Sequence, residues 1–272
     1  MADCEQYKVW EAIVAEAKVM AEQEPMLASF YHATIMNHDS LAASLSYILA
    51  NKLKTATVPA MTVREVVEGA FHADCDLTEC AAKDIVATVT RDPAVEMHLI
   101  PLLYLKGFHA LQGYRVANWL WKNGRQALAT FLQNQISVAC QVDIHPAAKI
   151  GHGIMLDHAT GIVIGETAVV GNDVSILQDV TLGGTGKEGG DRHPKIGEGV
   201  MIGAGAKILG NIKVGDGAKI GSCSVVLNEV PEHTTVAGVP AKVVGRPDSD
   251  KPSLDMDQCF NGEHKLVDGA GI

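Results

Sequence analysis

Two hydrophobic patterns divide the chain. Up to about residue 141 the apolar positions recur at helical spacing, and from Val142 to Pro240 they recur every six residues. In the first part Tyr7, Trp10, Ile13, Val14, Ala17 and Met20 form an amphipathic stripe. Ser40 is placed to cap a helix running through Ile48 to Leu53. Thr62, with Glu65 three residues on, approximates a capping box and predicts a helix over 63–73. The next is predicted over 77–91 with Thr78 as its cap. It ends at Arg91-Asp92-Pro93, because a residue before proline avoids helical backbone. Residues 99–123 are strongly apolar, and Gly107 and Gly113 predict two helices with a bend. A last helix over 125–141 leads into the second pattern.

In that pattern an aliphatic residue stands at Ile150, Leu156, Ile164, Val170, Ile176 and Leu182. It resumes at Ile196, Ile202, Ile208, Val214, Ile220 and Val226, usually with Gly after it. A period of six matches neither a helix nor a simple strand. It fits a hexapeptide β-helix, in which three hexads close one triangular coil of about 18 residues and the aliphatic residues stack inward. A glycine-rich β-sandwich is the alternative, but it gives no reason for a sustained hexad phase. The phase breaks twice. Leu156 and Ile164 are eight apart, so two extra residues bulge out at 157–160. Leu182 and Ile196 are fourteen apart, so a loop of eight extra residues leaves the coil. Interruptions of a solenoid tend to sit where binding happens. The expected fold is therefore α+β: an all-helical domain (1–141), a left-handed parallel β-helix (142–246) and a flexible tail (247–272).

Charge and composition narrow the function. The 272 residues carry a net charge of −10, which disfavours a nucleic-acid partner. No apolar run is long enough for a membrane span, and the start of the chain lacks a secretory signal. The six cysteines are scattered without metal spacing, as reduced thiols of a cytoplasmic protein would be.

The polar groups at the breaks are the candidate chemistry. Asp143 and His145 open the repeat, Asp157-His158 occupies the bulge, and Asp191-Arg192-His193 sits in the large loop. An imidazole at a bulge, with a carboxylate to orient it, can take a hydroxyl proton near neutral pH. An exposed turn histidine is the plainer reading of any one of them. The glycine-rich run 183–186 lacks P-loop spacing, but it can offer backbone amides to an anion. Arg192 suits a carboxylate.

At Asp143-Ile144-His145-Pro146, Asp157-His158-Ala159-Thr160-Gly161, Val180 to Gly186 and Gly190 to Pro194, the chain closely resembles the bacterial serine O-acetyltransferases. The resemblance runs through nearly the whole chain. It implies acetyl transfer from acetyl-CoA, as co-substrate, to the hydroxyl of L-serine, the first step of cysteine biosynthesis, with no permanently bound cofactor and no metal. His158 is then the general base and Asp143 its partner. Asp92, Asp157, Arg192 and His193 form the serine site, and Gly184, Ala204, Ser222 and Lys242 contact CoA. The resemblance further implies a dimer of trimers joined through the helical domains and feedback inhibition by cysteine. It also implies a tail ending in Ile272 that docks on O-acetylserine sulfhydrylase.

Three other readings fit parts of the sequence. His152, His158 and His193 could hold zinc between subunits, as in hexapeptide carbonic anhydrases. The acyl acceptor could be homoserine or a sugar. The chain could be a scaffold whose tail binds a partner.

Overall fold

The computed structural model describes residues 4–186 and 189–259. Its helices are α1 (Glu5–Gln23), α2 (Ala28–Tyr31), α3 (Leu41–Leu53), α4 (Ala60–Ala73), α5 (Asp76–Arg91), α6 (Leu99–Tyr104), α7 (Lys106–Lys122) and α8 (Gln126–Cys140). A short α9 (Pro252–Asp255) follows the solenoid. The stripe of α1 buries Val9, Ile13 and Ala17. Ser40 caps α3, its Oγ accepting from Ala43 N–H at 3.2 Å.

Two helix starts and one break differ from the sequence reading, and one cap comes from outside its own segment. The Thr62–Glu65 box does not form, because α4 already begins at Ala60 behind Pro59, which supplies no side-chain cap. Thr78 lies buried inside α5 rather than capping it. The start of α6 is capped from another helix: the Glu16 carboxylate accepts from His98 N–H (3.1 Å) and Leu99 N–H (2.8 Å). The break between α6 and α7 falls at Leu105, not at a glycine. Gly113 instead allows close packing, since a Cβ there would lie 2.8 Å from Ile136 Cδ1 of α8.

From Val142 the chain winds into a parallel β-solenoid of three faces. The first face stacks β1 (Val142–Ile144), β4 (Ile162–Ile164), β7 (Thr181–Gly183), β10 (Lys207–Leu209) and β13 (Val225–Val226). The second stacks β2 (Lys149–Ile150), β5 (Val169–Val170), β8 (Lys195–Ile196) and β11 (Lys213–Val214). The third stacks β3 (Met155–Leu156), β6 (Ser175–Ile176), β9 (Met201–Ile202), β12 (Lys219–Ile220) and β14 (Thr235–Ala237). It ends with β15 (Lys242–Gly245), antiparallel to β14. The register reproduces the sequence spacing. Ile164 pairs with Leu182, eighteen residues on, and Ile208 with Val226. Val142 pairs with Ile162 and Leu182 with Ile208, so the coils holding the two breaks have twenty and twenty-six residues. A third irregularity went unread: Ile220 pairs with Val236, a coil of only sixteen.

The repeat's aliphatic residues from Leu156 to Val226 are buried, whereas Ile150, at the first coil, is only half-buried. Each buried residue contributes roughly 1.5–3 kcal/mol. The glycine after the aliphatic residue serves close approach: a Cβ on Gly171 would lie 2.8 Å from Gly197 O of the next coil.

The helices are tied to the first coil by a buried ion pair. Asp84 Oδ2 accepts from Arg115 Nη2 (2.6 Å), Arg115 Nε (3.1 Å) and Gln112 Nε2 (2.9 Å). Its Oδ1 accepts from Ile154 N–H at 2.9 Å, and Arg115 Nη2 also donates to Gly151 O at 2.8 Å. One carboxylate thus joins α5, α7 and the turn between β2 and β3. Neither residue stood out in the sequence.

Candidate active site

The prism has three edges, and two of them carry the predicted chemistry. One edge joins the third face to the first, through turns 157–161, 177–180, 203–206 and 221–224. The bulge is the lowest of these turns. His158 and Ala159 adopt left-handed backbone, φ 53° and 62°, at a cost of order 1–3 kcal/mol each. Gly161 N–H donates to Gln141 O (2.8 Å), Thr160 N–H to His158 O (2.9 Å), and Lys106 Nζ to Thr160 Oγ1. Gly107 at the start of α7 has no room for a side chain, because a Cβ would meet Leu156 O and Ala159. The helical part therefore presses on the bulge and holds it in this shape.

A cavity of about 430 Å³ opens beside the bulge, between Asp92, Val95, Ile100, Lys106, Asp157 and His158. It brings together three of the predicted site residues. The His158 side chain is 73% exposed and its Nε2 lies 3.8 Å from Asp157 Oδ2. Burial raises the Asp157 pKa; His158 lowers it and Asp92 raises it further. Asp143 projects from β1 in register with Val163, and its Oδ1 accepts from Gln133 Nε2 of α8 at 2.7 Å. The nearest acid to His158 is thus Asp157, while Asp143 is held by Gln133.

Ala204 and Ser222 stand on the same edge as His158, two and three rungs away, or roughly 10 and 14 Å at the inter-strand spacing. Between them and the bulge, Lys207 Nζ bonds Asp179 Oδ1 at 3.0 Å. Lys242 begins the exposed β15.

Gly184, Arg192 and His193 lie on the next edge, between the first and second faces, in the loop from β7 to β8. Arg192 Nη2 bonds Glu166 Oε2 at 2.6 Å. That contact, the largest cause, holds the Glu166 carboxyl below its usual range. His193 is 7% exposed, and its ring lies where a side chain on Gly165 would be. Burial, and then Arg192, lower its pKa. Thr167 anchors the loop, and His145 shares this edge, its Nδ1 accepting from Ala147 N–H at 3.1 Å. Glu166 and Thr167 were missed in the sequence. The available signal was the stacking rule, which sets the turn before the loop directly beneath it.

His152 lies on the third edge, so the three histidines of the zinc reading occupy three different edges. No cluster of three or more His, Cys, Asp or Glu suited to a metal occurs among the described residues. No described helix is long and apolar enough to cross a membrane. Ile272 and the last residues of the tail lie outside the described residues.

Comparisons with known proteins match the sequence and the fold. Residues 9–113 match the family model described as serine acetyltransferase, N-terminal, and 193–228 match the bacterial transferase hexapeptide model. The serine acetyltransferase of Escherichia coli (strain K12) is 69% identical over 271 residues, 99% of either chain. The crystal structure of serine acetyltransferase from Vibrio cholerae O1 biovar El Tor N16961 is 79% identical. It superposes with a TM-score of 0.93, covering 94% of this chain and 100% of its own. A serine acetyltransferase solved in complex with cysteine is 63% identical, with a TM-score of 0.92, covering 93% and 99%. Others have been solved in complex with CoA and, from Neisseria gonorrhoeae, with serine.

Proposed function

The chain belongs to the serine acetyltransferase family, and on that premise we propose that it transfers the acetyl group of acetyl-CoA to the hydroxyl of L-serine, releasing CoA. The observation that carries this reading is the bulge. It presents an exposed imidazole beside Asp157, in a cavity that Asp92 also lines, on the edge that bears Ala204 and Ser222. Relatives solved with CoA, serine and cysteine support these ligands.

His158 takes the serine hydroxyl proton as the oxygen attacks the thioester carbonyl. When the tetrahedral intermediate collapses, the C–S bond breaks and the same proton passes to the CoA sulfur. General-base catalysis of this kind contributes roughly 10²–10⁴-fold. Asp143, oriented by Gln133, receives the imidazole once the ring turns away from Asp157. Asp92 and Asp157 hold the serine ammonium, and Arg192 with His193 holds its carboxylate. Acetyl-CoA lies along the His158 edge against Ala204, Ser222 and Lys242. Cysteine inhibits by occupying the serine site.

The two edges are separated by the first face, whose three-residue strands β4 and β7 put roughly 10 Å or more between the turns, about twice the length of a serine. One serine cannot bridge that gap. The reading therefore needs a second copy whose Arg192-His193 edge packs against the His158 edge of the first, as in a trimer. Such trimers would pair through the helical parts, and the terminal segment ending in Ile272 would dock on O-acetylserine sulfhydrylase.

An acceptor-dependent thiol-release assay with acetyl-CoA tests the activity. L-Serine supports release, and homoserine doing so equally well would overturn the acceptor assignment. Co-expression of His158→Ala and His193→Asn chains tests the shared site. If each site takes one edge from each of two copies, about a quarter of the sites in mixed oligomers carry neither lesion. No recovery above either variant alone would place both edges' work within one copy.

A further inference from the structure

Thr167 makes more contacts to the loop bearing Arg192 and His193 than any function assigned so far explains. Its Oγ1 accepts from Arg192 N–H at 3.0 Å and from His193 N–H at 3.1 Å. With both acceptor positions filled, the hydroxyl can only donate, to His193 Nδ1 at 2.8 Å or to the Asp191 carboxylate, which the Thr167 side chain also reaches. The Thr167 backbone N–H also points at that nitrogen, at 3.2 Å. A backbone N–H only donates, so Nδ1 must be an acceptor, and a neutral His193 carries its proton on Nε2. Lys195 closes the arrangement, its Nζ donating to Thr167 O (2.9 Å), His193 O (2.7 Å) and Asp191 Oδ1 (2.5 Å).

Protonating Nδ1 would set an N–H against two donors. Besides Thr167, the charged groups facing the ring are Arg192 and Lys195, which resist a second positive charge, Glu166, which favours it, and His145. The ring is almost fully buried. It is thus held in one tautomer with its proton on one side. We propose that Thr167 is a positioning residue of acetyl transfer that locks His193 as a neutral Nε2–H donor toward the serine molecule. His193 then has no proton-accepting nitrogen free, which leaves base chemistry to His158. This inference rests on the reading of His193 as part of the serine site.

The test uses the full-length protein with ¹⁵N-labelled histidine. Long-range ¹H–¹⁵N spectra identify His193 by the signals lost in His193→Asn. In the wild type these signals report the Nε2–H tautomer, unchanged between pH 6 and 8. Thr167→Val keeps the backbone N–H but loses the hydroxyl that reaches Nδ1 and holds the Arg192 and His193 backbone, so the ring is no longer kept against that N–H, and the signals move toward a mixture of tautomers and begin to titrate. The KM for serine rises roughly tenfold, the scale of one misplaced hydrogen bond, while the KM for acetyl-CoA stays within about twofold. Thr167→Ser, which keeps the hydroxyl, restores both readouts. An Nδ1–H tautomer in the wild type, or a valine variant with wild-type signals and KM, overturns the proposal. Should His193→Asn itself leave the serine KM unchanged, the placement of His193 in the serine site fails, and the spectra alone judge the lock.

Discussion

Replacing Asp84 by asparagine changes one buried atom type and nothing in shape. In the wild type the carboxylate is fully buried and accepts four N–H groups, three at Oδ2 and one at Oδ1. An amide accepts at its oxygen only. If the oxygen takes the Oδ2 position, the new NH₂ faces Ile154 N–H, donor against donor. If it takes the Oδ1 position, the NH₂ faces Arg115 and Gln112. Arg115, 5% exposed, meanwhile loses its counter-charge. Removing one partner of a buried ion pair costs about 3–5 kcal/mol. That is a large share of the 5–15 kcal/mol typical of a folded domain, and for a chain of this size it lowers the melting temperature by roughly 10 °C.

The assay is thermal unfolding by circular dichroism at one fixed protein concentration, because association contributes to the apparent midpoint. The double variant Asp84→Leu/Arg115→Met separates charge from packing. Replacing both partners by apolar groups is often near neutral, so the double variant melts above either single one. The reasoning fails if Asp84→Asn melts within about 2 °C of the wild type, or if the two single losses add in the double variant. Thr88 and Asp92, in the last turn of α5 and just beyond it, line the cavity beside His158. A loosened α5 therefore also raises the serine KM before it lowers the yield of folded protein.

His158→Ala lowers turnover by about 10²–10⁴-fold with acetyl-CoA binding retained, and Asp143→Asn does less harm because it removes orientation rather than the base. Near-normal turnover in the first variant, measured by thiol release, would falsify the base assignment. His109 is buried with Nδ1 unpaired, and burial depresses its pKa from 6.5 to about 4. Below pH 6.5 the unfolded chain binds this proton and the folded one does not. Stability therefore falls as the pH drops from 6.5 toward 4, by about 3 kcal/mol in all. His109→Gln flattens that limb of the melting curve, and an unchanged limb would assign the acid sensitivity elsewhere. Deleting residues 261–272 removes binding to O-acetylserine sulfhydrylase in a pull-down and spares acetyl transfer; undiminished binding counts against a docking tail.

The solenoid was legible because its stabilising term is periodic. One buried aliphatic residue in six, stacked coil on coil, writes the register into the spacing. That is why the twenty- and twenty-six-residue coils could be read from Leu156, Ile164, Leu182 and Ile196. The helix starts at Thr62 and Thr78 were misread because the local signal was outweighed: Pro59 opens α4 earlier, and Thr78 is buried in packing. Asp84 and Arg115 left no trace of their roles, since each acts on partners distant in sequence, whereas Thr167 could have been found from the stacking of its turn beneath the loop. His158 was visible as a polar residue at a break, and Asp143 as one at the entry to the repeat. Their present partners, Gln133 and Asp157, show that nearness to a break does not determine which acid faces which imidazole.

The two breaks put their imidazoles in opposite physical states, and the difference bears on which one can move a proton. His158 sits on left-handed backbone with its ring in solvent, so it can turn from one partner to another. That backbone is unfavourable by itself and persists because Lys106, Gly107 and Gln141 fix the turn from outside. His193 is the reverse: its backbone and Nδ1 are held by Thr167 and its ring is buried, so charging it would set donors against donors. A general base must accept and release a proton in each turnover, whereas a substrate anchor works best if it never titrates. The exposed ring at the bulge suits the role proposed for His158, and the buried, oriented ring in the loop suits the role proposed for His193, on neighbouring edges of one prism.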